Sequence, residues 1–404
     1  MFRRTRILQA VLLALLTTAC ASQQTTDTAQ PRMAAAAAGG GAPAPLAGVN
    51  PADDAPEIHA GRSEVSSRPF STSAGVLDPD IEAFALEVAD LRQLPLEHVR
   101  ALLLEAQYNA TAARLMAPSG TRIRRSWVTY RNRFVEPVRI RSGRQFWEEN
   151  AADLHRTQQE YGVPAAIIVA IIGVETVYGR HTGDFRVLDA LATLGFRYPD
   201  AKRPERGHLF RNQLADLIQL DYEKKLNARQ VSGSFAGAMG LPQFMPGSLM
   251  RYAADGDHDG RIDLHGSTTD AIVSVARFLR LHGWVPGLPV FAPVTPPANA
   301  GALVTGGLTP TLNWAQLSAA GATAPPGAAS WKQHEMGVVN LVDEPRDTVE
   351  YRVGTPNFFA LTHYNRSYFY ASSVADLAQE LEHRMGARAL PAPATAQLNT
   401  PVDR

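Results

Sequence analysis

A single carboxylate ends the most apolar stretch of the chain. Residues 167–174 read I-I-V-A-I-I-G-V, with no charge among them, and Glu175 follows directly. A carboxyl that an apolar helix delivers into an apolar setting loses hydration, which raises its pKa toward the range of a general acid. The alternative is a Glu at the end of a buried helix that points into solvent, and these residues alone favour neither.

The element that must position Glu175 is predicted to be a helix buried on nearly all sides. Pro164 can be its first residue, because proline lacks only an N–H that a first helical turn leaves unpaired. The residues that follow, through Val174, have no polar face, which argues against an amphipathic surface helix. We therefore expect Glu175 at the end of a core helix.

A later segment, residues 233–246, is dense in small residues and contains Ser234, Gln243 and Phe244. Small residues let the backbone approach a ligand closely, and Gln243 beside Phe244 offers an amide next to a ring. Such a composition is typical of a binding loop. The alternative is a tight crossing of two helices that needs small residues for packing.

An acidic loop follows. Its positions 1, 3 and 5 carry carboxylates and position 6 is Gly260, which fits the first part of an EF-hand calcium loop: Asp255, Asp257 and Asp259. Position 12 is Gly266, so the usual bidentate glutamate is missing, and Asp270 is the next carboxylate that could close a longer loop. The alternative is a solvated turn that binds no metal.

Aromatic rings alternate with hydrogen-bonding groups in residues 357–370, which include Tyr364, Asn365 and Tyr370. Sugar recognition uses flat ring faces against C–H surfaces and amides for hydroxyls. The segment is thus a candidate carbohydrate surface. An aromatic-rich core helix is the alternative, and the polar groups argue against a purely apolar role.

Composition limits the class of protein. The chain has 404 residues, 45% hydrophobic and 19% charged, which is typical of a soluble globular protein. Lys plus Arg and Asp plus Glu are both 39, so no overall basic field indicates nucleic-acid binding. Without residues 1–19, Lys plus Arg falls from 39 to 36 against 39 acids, a net charge of about −3.

The N-terminus is predicted to be a targeting segment. Three arginines lie within the first six residues, residues 7–16 are apolar but too short to span a bilayer, and residues 17–19 are small and precede Cys20. Small residues before a lone cysteine resemble a lipoprotein box, although Thr17 stands where leucine is usual. We predict a signal peptide at 1–19 and lipidation of Cys20, with an ordinary secretory signal as the alternative. Cys20 is the single cysteine, which excludes an internal disulfide.

Composition also divides the chain. Residues 20–75 are rich in Ala, Gly, Pro, Ser and Thr and are predicted to be a flexible tether, and 388–404 a disordered tail. Between them, Asp78-Pro79 is a good helix start, one helix is predicted over 145–161, and the runs 338–342 and 348–353 are predicted strands.

In order and spacing, these motifs resemble lytic murein transglycosylase B. The resemblance rests on residues 171–180, 233–246, the acidic loop, 281–284 and 357–367, and covers roughly 78–387. It implies an α+β, mainly α fold: a lysozyme-like helical core at 126–285, a flanking α subdomain at 76–125, a small β subdomain at 286–355 and return helices at 356–387.

The resemblance also implies roles for single residues. Glu175 matches the catalytic acid/base of an enzyme that cleaves the β-1,4 bond between N-acetylmuramic acid and N-acetylglucosamine and forms 1,6-anhydromuramoyl products. The residues that match the sugar-binding cleft are Tyr130, Ser234, Gln243, Phe244, Tyr364, Asn365 and Tyr370. Those that match calcium ligands are Asp255, Asp257, Asp259, Arg261 through its carbonyl, and Asp270. No catalytic cofactor is implied, only structural Ca²⁺.

The implied partners are peptidoglycan glycan strands and, through Cys20, a membrane, with no nucleic acid; the implied location is the periplasm, as an outer-membrane lipoprotein. Three departures from the family pattern stand out. The acidic loop is one residue longer before Asp270, Phe278 replaces a cleft tyrosine, and no tyrosine between Tyr198 and Phe210 matches another. A hydrolytic muramidase and a non-catalytic peptidoglycan-binding protein remain the alternatives.

Overall fold

The computed structural model describes residues 56–327 and 329–386. Fourteen α-helices and two two-stranded sheets lie within these ranges, so the predicted mainly α, α+β class is confirmed. The predicted signal peptide, Cys20, the tether up to residue 55 and the tail at 388–404 lie outside the described residues. No helix in the described ranges is both long enough and apolar enough to cross a membrane.

The helices are numbered here in chain order. The first seven are α1 Pro79–Leu91, α2 Leu96–Glu105, α3 Ala110–Met116, α4 Trp127–Phe134, α5 Pro137–Glu149, α6 Ala151–Tyr161 and α7 Ala165–Thr176. The others are α8 Val187–Phe196, α9 Glu205–Tyr222, α10 Pro246–Tyr252, α11 Thr268–Leu281, α12 Trp314–Ala319, α13 Pro356–Tyr364 and α14 Tyr368–Met385. Two 3₁₀ helices span Ala300–Leu303 and Ser330–Gln333.

Four short strands of the described residues form two antiparallel pairs. Strands β1 Phe185–Arg186 and β2 Ser232–Gly233 are antiparallel, and so are β3 Gly337–Asp343 and β4 Thr348–Gly354. The two predicted strand runs are therefore confirmed as one hairpin, in which Gly337 faces Gly354 and Asp343 faces Thr348. A satellite core around Trp331 and Leu317 underlies this region.

Helix α7 lies at the centre of the main core. Eleven of its 12 residues are buried, and it packs against α5, α6, α11 and α14. A helix surrounded by others must be apolar on all sides, which explains the absence of a polar stripe. The predicted burial of this helix is confirmed, and the one residue left partly exposed is Glu175.

Two helix boundaries differ from the prediction. The helix predicted over 145–161 is two helices that meet at Asn150, whose side-chain amide donates to the Phe146 carbonyl at 2.8 Å and so caps α5. Pro164 precedes α7 as its N-cap, with extended ψ of 137°, so Ala165 is the first helical residue. The Asn150 side chain pairs with a carbonyl that the end of α5 leaves free. Pro164 lacks the backbone N–H that the start of α7 would leave unpaired.

The predicted tether is wrong at its end, because residues 56–75 lie against the domain. Ile58 and Phe70 are buried, and the Glu64 N–H donates to the Phe196 carbonyl at 3.1 Å. The Phe70 ring also packs edge-on against Phe196. Single apolar residues in a polar segment carry no periodic signal, so only their tertiary partners on α8 and α9 reveal Phe70 and Ile58 as core.

Candidate active site and calcium loop

Glu175 lies where α7 turns back sharply. Val177 and Tyr178 after it adopt positive φ angles of 52° and 58°. Positive φ is strained for a β-branched residue and persists only where the surroundings impose it. Thr176 fixes this turn, because its hydroxyl donates to the Leu241 carbonyl at 3.0 Å and accepts from the Gly179 N–H at 3.0 Å.

Two glycines make room for the turn. A Cβ on Gly143 or Gly173 would lie 2.2 Å or 2.4 Å from the Tyr178 hydroxyl oxygen, so neither position accepts a side chain without movement. Arg139, itself buried, donates from Nε to the Gly173 carbonyl at 2.8 Å. Burial lowers the pKa of Arg139. The end of α7 is thus held by Thr176, by the close packing of Tyr178 on two glycines, and by Arg139.

Among the described residues, one hydrogen-bond donor contacts the carboxyl of Glu175. The Tyr370 hydroxyl donates to Glu175 Oε1 at 2.6 Å. Burial raises the pKa of Glu175 to about 7, and the bond from Tyr370 opposes that rise. Within the described residues, no charged group contributes to the shift. A carboxyl with a pKa near 7 can both give and take a proton at neutral pH.

Tyr370 and Tyr364 form one wall beside Glu175. Their rings are stacked, with centroids 6.3 Å apart and planes at 13°, and the Tyr364 hydroxyl donates to the Pro242 carbonyl at 2.6 Å. Burial, and next the nearby Glu175, raise the pKa of both hydroxyls well above the usual value. Both tyrosines therefore stay protonated as hydrogen-bond donors.

The small-residue segment, residues 233–246, forms a compact loop. The structure does not show the alternative, a tight crossing of two helices. Isolated β-bridges join Gly233 to Met239 and Met239 to Phe244. A Cβ on Gly240, where φ is 68°, would lie 2.3 Å from the Leu264 carbonyl oxygen. Glycine is required there because backbone packs on backbone.

Ser234 and Gln243 brace this loop. The Ser234 hydroxyl oxygen accepts from the Ala238 N–H at 3.1 Å. The Gln243 amide donates to the carbonyls of Thr182 and Gly240 at 3.1 Å and 3.0 Å, which links the loop to the segment after α7. Gln243 also has a positive φ of 53°.

Phe244 lies behind the tyrosine wall. It is only 2% exposed, and its ring packs against Phe278 at 5.6 Å and Tyr364 at 5.9 Å. Phe278 in turn contacts Tyr364 edge-on at 4.9 Å and is also buried. The ring at 278 therefore supports Tyr364 from within the core.

The other predicted cleft residues flank this wall. Asn365 directly follows α13 and is partly exposed. Tyr130, also partly exposed, packs against Phe369 with centroids 5.4 Å apart and lies close enough to Tyr370 to raise the pKa of that hydroxyl. The structure thus places Tyr364 and Tyr370 beside Glu175, with Tyr130 next to Tyr370.

Sequence reasoning missed Thr176, Tyr178 and Arg139, which hold the carboxyl's backbone. The sequence did carry one signal for the turn, the V-Y-G run after the apolar helix. Glycine is the residue of this run that is expected at positive φ, so the run indicates that the helix ends there. The sequence did not indicate that Arg139 is buried, because an arginine on a helix with other arginines is usually exposed.

The acidic loop gathers three carboxylates. One oxygen each from Asp255, Asp257 and Asp259 lies within 4.8 Å of the others. Asp255 Oδ1 is buried without a hydrogen-bond partner among the described residues, while Asp255 Oδ2 accepts from the Gly260 N–H at 2.9 Å. A buried, unpartnered carboxylate oxygen in an all-oxygen donor set fits a hard cation such as Ca²⁺.

Asp270 occupies a different position. It is buried, and its two carboxylate oxygens accept from the Gly256 and Asp263 N–H groups at 2.8 Å and 2.7 Å. It does not belong to the group of three. The Arg261 N–H donates to Asp259 at 2.8 Å and continues the turn. Asp270 therefore ties both sides of the loop to the start of α11.

Residues 77–379 match the family model described as Transglycosylase SLT domain. The chain is 34% identical over 312 residues to the membrane-bound lytic murein transglycosylase B of Escherichia coli strain K12, covering 75% of this chain and 82% of that protein. It resembles the crystal structure of soluble lytic transglycosylase SltB1 from Pseudomonas aeruginosa, with a TM-score of 0.68 and 39% identity over 76% of this chain and 100% of that one. It also resembles the Escherichia coli lytic transglycosylase SLT35 in complex with calcium, with a TM-score of 0.65 and 34% identity over 78% and 95% of the two chains.

Proposed function

The chain belongs to the transglycosylase SLT domain family and is a peptidoglycan lytic transglycosylase, and from that premise we propose that Glu175 is its single acid and base. The observation that carries the proposal is a desolvated carboxyl with a pKa raised to about 7 and one tyrosine as its hydrogen-bond partner. Ordinary glycosidases use two carboxylates. Here one group must serve both steps.

The proposed reaction needs no second carboxylate. Protonated Glu175 gives its proton to the glycosidic oxygen between N-acetylmuramic acid and N-acetylglucosamine, and the C1–O bond breaks. The C6 hydroxyl oxygen of the same muramoyl residue bonds to C1, and Glu175 takes back the proton that this hydroxyl loses. The product is a 1,6-anhydromuramoyl end, and no water is consumed. An intramolecular hydroxyl gains from proximity what a water molecule would lack.

The tyrosine wall supports the proposed roles of the cleft residues. Tyr370 would hold the Glu175 carboxylate between the two proton transfers, because its hydroxyl donates directly to that group. We propose that Tyr130, Tyr364 and Asn365 contact the sugars, while Ser234 and Gln243 shape the loop beside them. Tyr370 is buried and would act on the sugars through Glu175. Phe244, being buried, would act through Tyr364.

We propose that the acidic loop holds a structural Ca²⁺. Asp255, Asp257 and Asp259 would supply carboxylate oxygens and Arg261 its carbonyl, as the buried Asp255 Oδ1 supports. Asp270 would brace the loop through its backbone partners, and we also propose it as a direct ligand of the ion. The ion would tie the loop to α11 and take no part in the proton transfers.

The export and anchoring of the chain are also proposals. A relative named as membrane-bound and the sequence before Cys20 support an outer-membrane lipoprotein in the periplasm. Metabolic labelling with a radioactive fatty acid tests this. Label is expected on the wild type and not on Cys20→Ser, and label on both would contradict lipidation at Cys20.

Mass spectrometry of digested peptidoglycan sacculi tests the reaction. Anhydromuropeptides are expected as the products, and ¹⁸O from labelled water should not enter them. Reducing ends that carry ¹⁸O would instead identify a hydrolytic muramidase. Binding to sacculi without any soluble product would identify a non-catalytic wall-binding protein.

A further inference from the structure

Two histidines and a glutamate meet where the segment before α1 reaches helix α9. One ligand atom each from Glu57, His59 and His208 lies within 4.8 Å of the others, and Glu57 and His59 are exposed while His208 is half-buried. We propose that these three side chains bind a divalent transition-metal ion, with Zn²⁺ as its representative. The site would join the segment before α1 to helix α9.

The backbone around the three side chains is fixed at several points. Ile58, between the two exposed ligands, is fully buried, and its N–H donates to the Asn212 side-chain oxygen at 2.7 Å. Asn212 lies one turn after His208 on α9. The Ala60 N–H donates to the Glu87 carboxylate on α1. The segment is therefore held to both helices at the residues that bring its ligands next to His208.

The donor set selects the kind of metal. Two imidazoles and one carboxylate suit Zn²⁺ and its transition-metal neighbours, whereas Ca²⁺ and Mg²⁺ prefer oxygen ligands alone. The two candidate metal sites among the described residues therefore differ in chemistry. The acidic loop offers only oxygen, and the histidine cluster offers nitrogen.

Binding requires changes at both histidines. The His59 and His208 rings are parallel, 8° apart with centroids at 5.5 Å, and a metal must lie in the plane of each ring it binds. Ligands around tetrahedral Zn²⁺ lie ~3.3 Å apart. His59 is exposed and can rotate. The Asn212 amide donates to His208 Nε2 at 3.4 Å, and this weak bond must break before His208 can bind a metal, because the imidazole has one free lone pair.

Calorimetric titration with Zn²⁺ tests the site in the mature chain. Every protein carries Cys20→Ser to remove the thiol, and saturating Ca²⁺ fills the acidic loop. One Zn²⁺ site is expected in this parent. His59→Ala and His208→Ala should each bind at least about 10-fold more weakly, since each removes one of three ligands. His383→Ala, an exposed histidine in the last turn of α14, is the matched control and should bind as the parent does.

The result for His59→Ala is decisive because that exposed side chain can be removed without opening the core. Zn²⁺ affinity equal to that of His383→Ala, or a parent without a site, overturns the proposal. Trypsin cleavage after the exposed Arg62 gives a second readout. Zn²⁺ should slow it several-fold in the parent and not in His59→Ala, and cleavage unaffected by Zn²⁺ in the parent would overturn the attachment of this segment by metal.

Discussion

Carboxylates in two regions of this molecule are perturbed in opposite directions. At the end of α7, burial raises the pKa of Glu175 to about 7. In the acidic loop, the Ser267 hydroxyl donates to Asp257 at 2.7 Å and holds the pKa of that carboxyl below its usual value. Glu175 stands alone on an apolar helix, whereas Asp257 is exposed and lies among other acids.

The difference follows from what surrounds each charge. Apolar neighbours withhold solvation from Glu175, so its proton is exchangeable near neutral pH and suits acid–base chemistry. In the loop, hydroxyl and N–H donors stabilise the charged form of Asp257, and the closeness of three carboxylates favours a cation among them. Residue type is nearly the same in both regions, and environment decides the role.

The largest effect is expected from removing the proton of the lone acid. Glu175→Gln keeps the shape and can still accept the Tyr370 hydrogen bond, but it can neither give nor take a proton. Release of soluble muropeptides from sacculi should fall by about 1,000-fold or more. Glu97→Gln, an exposed glutamate on α2, is the control and should retain full turnover. Appreciable activity in Glu175→Gln would end the assignment.

The same substitution should stabilise the fold at alkaline pH. The folded pKa of Glu175 is about 7 against an ordinary 4.5, so its contribution to stability is fully present below pH 4.5 and is lost as pH rises through 7. Gln lacks this loss. Relative to wild type, the variant should therefore gain up to about 3 kcal/mol in unfolding free energy between pH 4 and pH 8.

Denaturant unfolding at several pH values measures this gain. Glu97→Gln again serves as the control and should show no such change with pH. A difference between Glu175→Gln and wild type that stays constant from pH 4 to pH 8 would mean that the pKa of Glu175 is not raised, and the contrast with the acidic loop would disappear.

Removal of calcium tests the other region. With free Ca²⁺ at 100 times Kd, the ion would stabilise the fold by about 2.7 kcal/mol, so chelation should lower the thermal midpoint by several degrees. Asp255→Asn should remove most of this response, because it neutralises the carboxylate with the buried, unpartnered oxygen. A wild-type midpoint that ignores chelation would contradict the calcium loop.

The burial of α7 and the strands β3 and β4 could be predicted from the sequence because both carry local patterns. An unbroken apolar run indicates a core element. Two β-rich runs joined by a short turn are predicted to pair with each other. The mainly α class was implied by the resemblance to the transglycosylase family.

Other features depend on distant contacts and could not be predicted locally. The positive φ of Val177 is imposed by Thr176 bonding to Leu241, more than 60 residues later. Ile58 is core only because Asn212 and α9 meet it. The hydrogen bond from Tyr370 to Glu175 joins residues 195 apart, so no local pattern in the sequence could pair these two side chains.

The smallest effect concerns that partner. Tyr370→Phe removes a donor that favours the charged form of Glu175, so the pKa of Glu175 should rise further. The alkaline limb of the pH–rate profile, where the acid loses its proton, should then move to higher pH. Turnover at the optimum should fall about 10-fold, because the carboxylate between the two proton transfers loses a charge-assisted bond. Tyr364→Phe is the matched control: its hydroxyl donates to the Pro242 carbonyl and not to Glu175, so the limb should stay in place. An unmoved limb in Tyr370→Phe would show that burial alone sets the pKa of the acid.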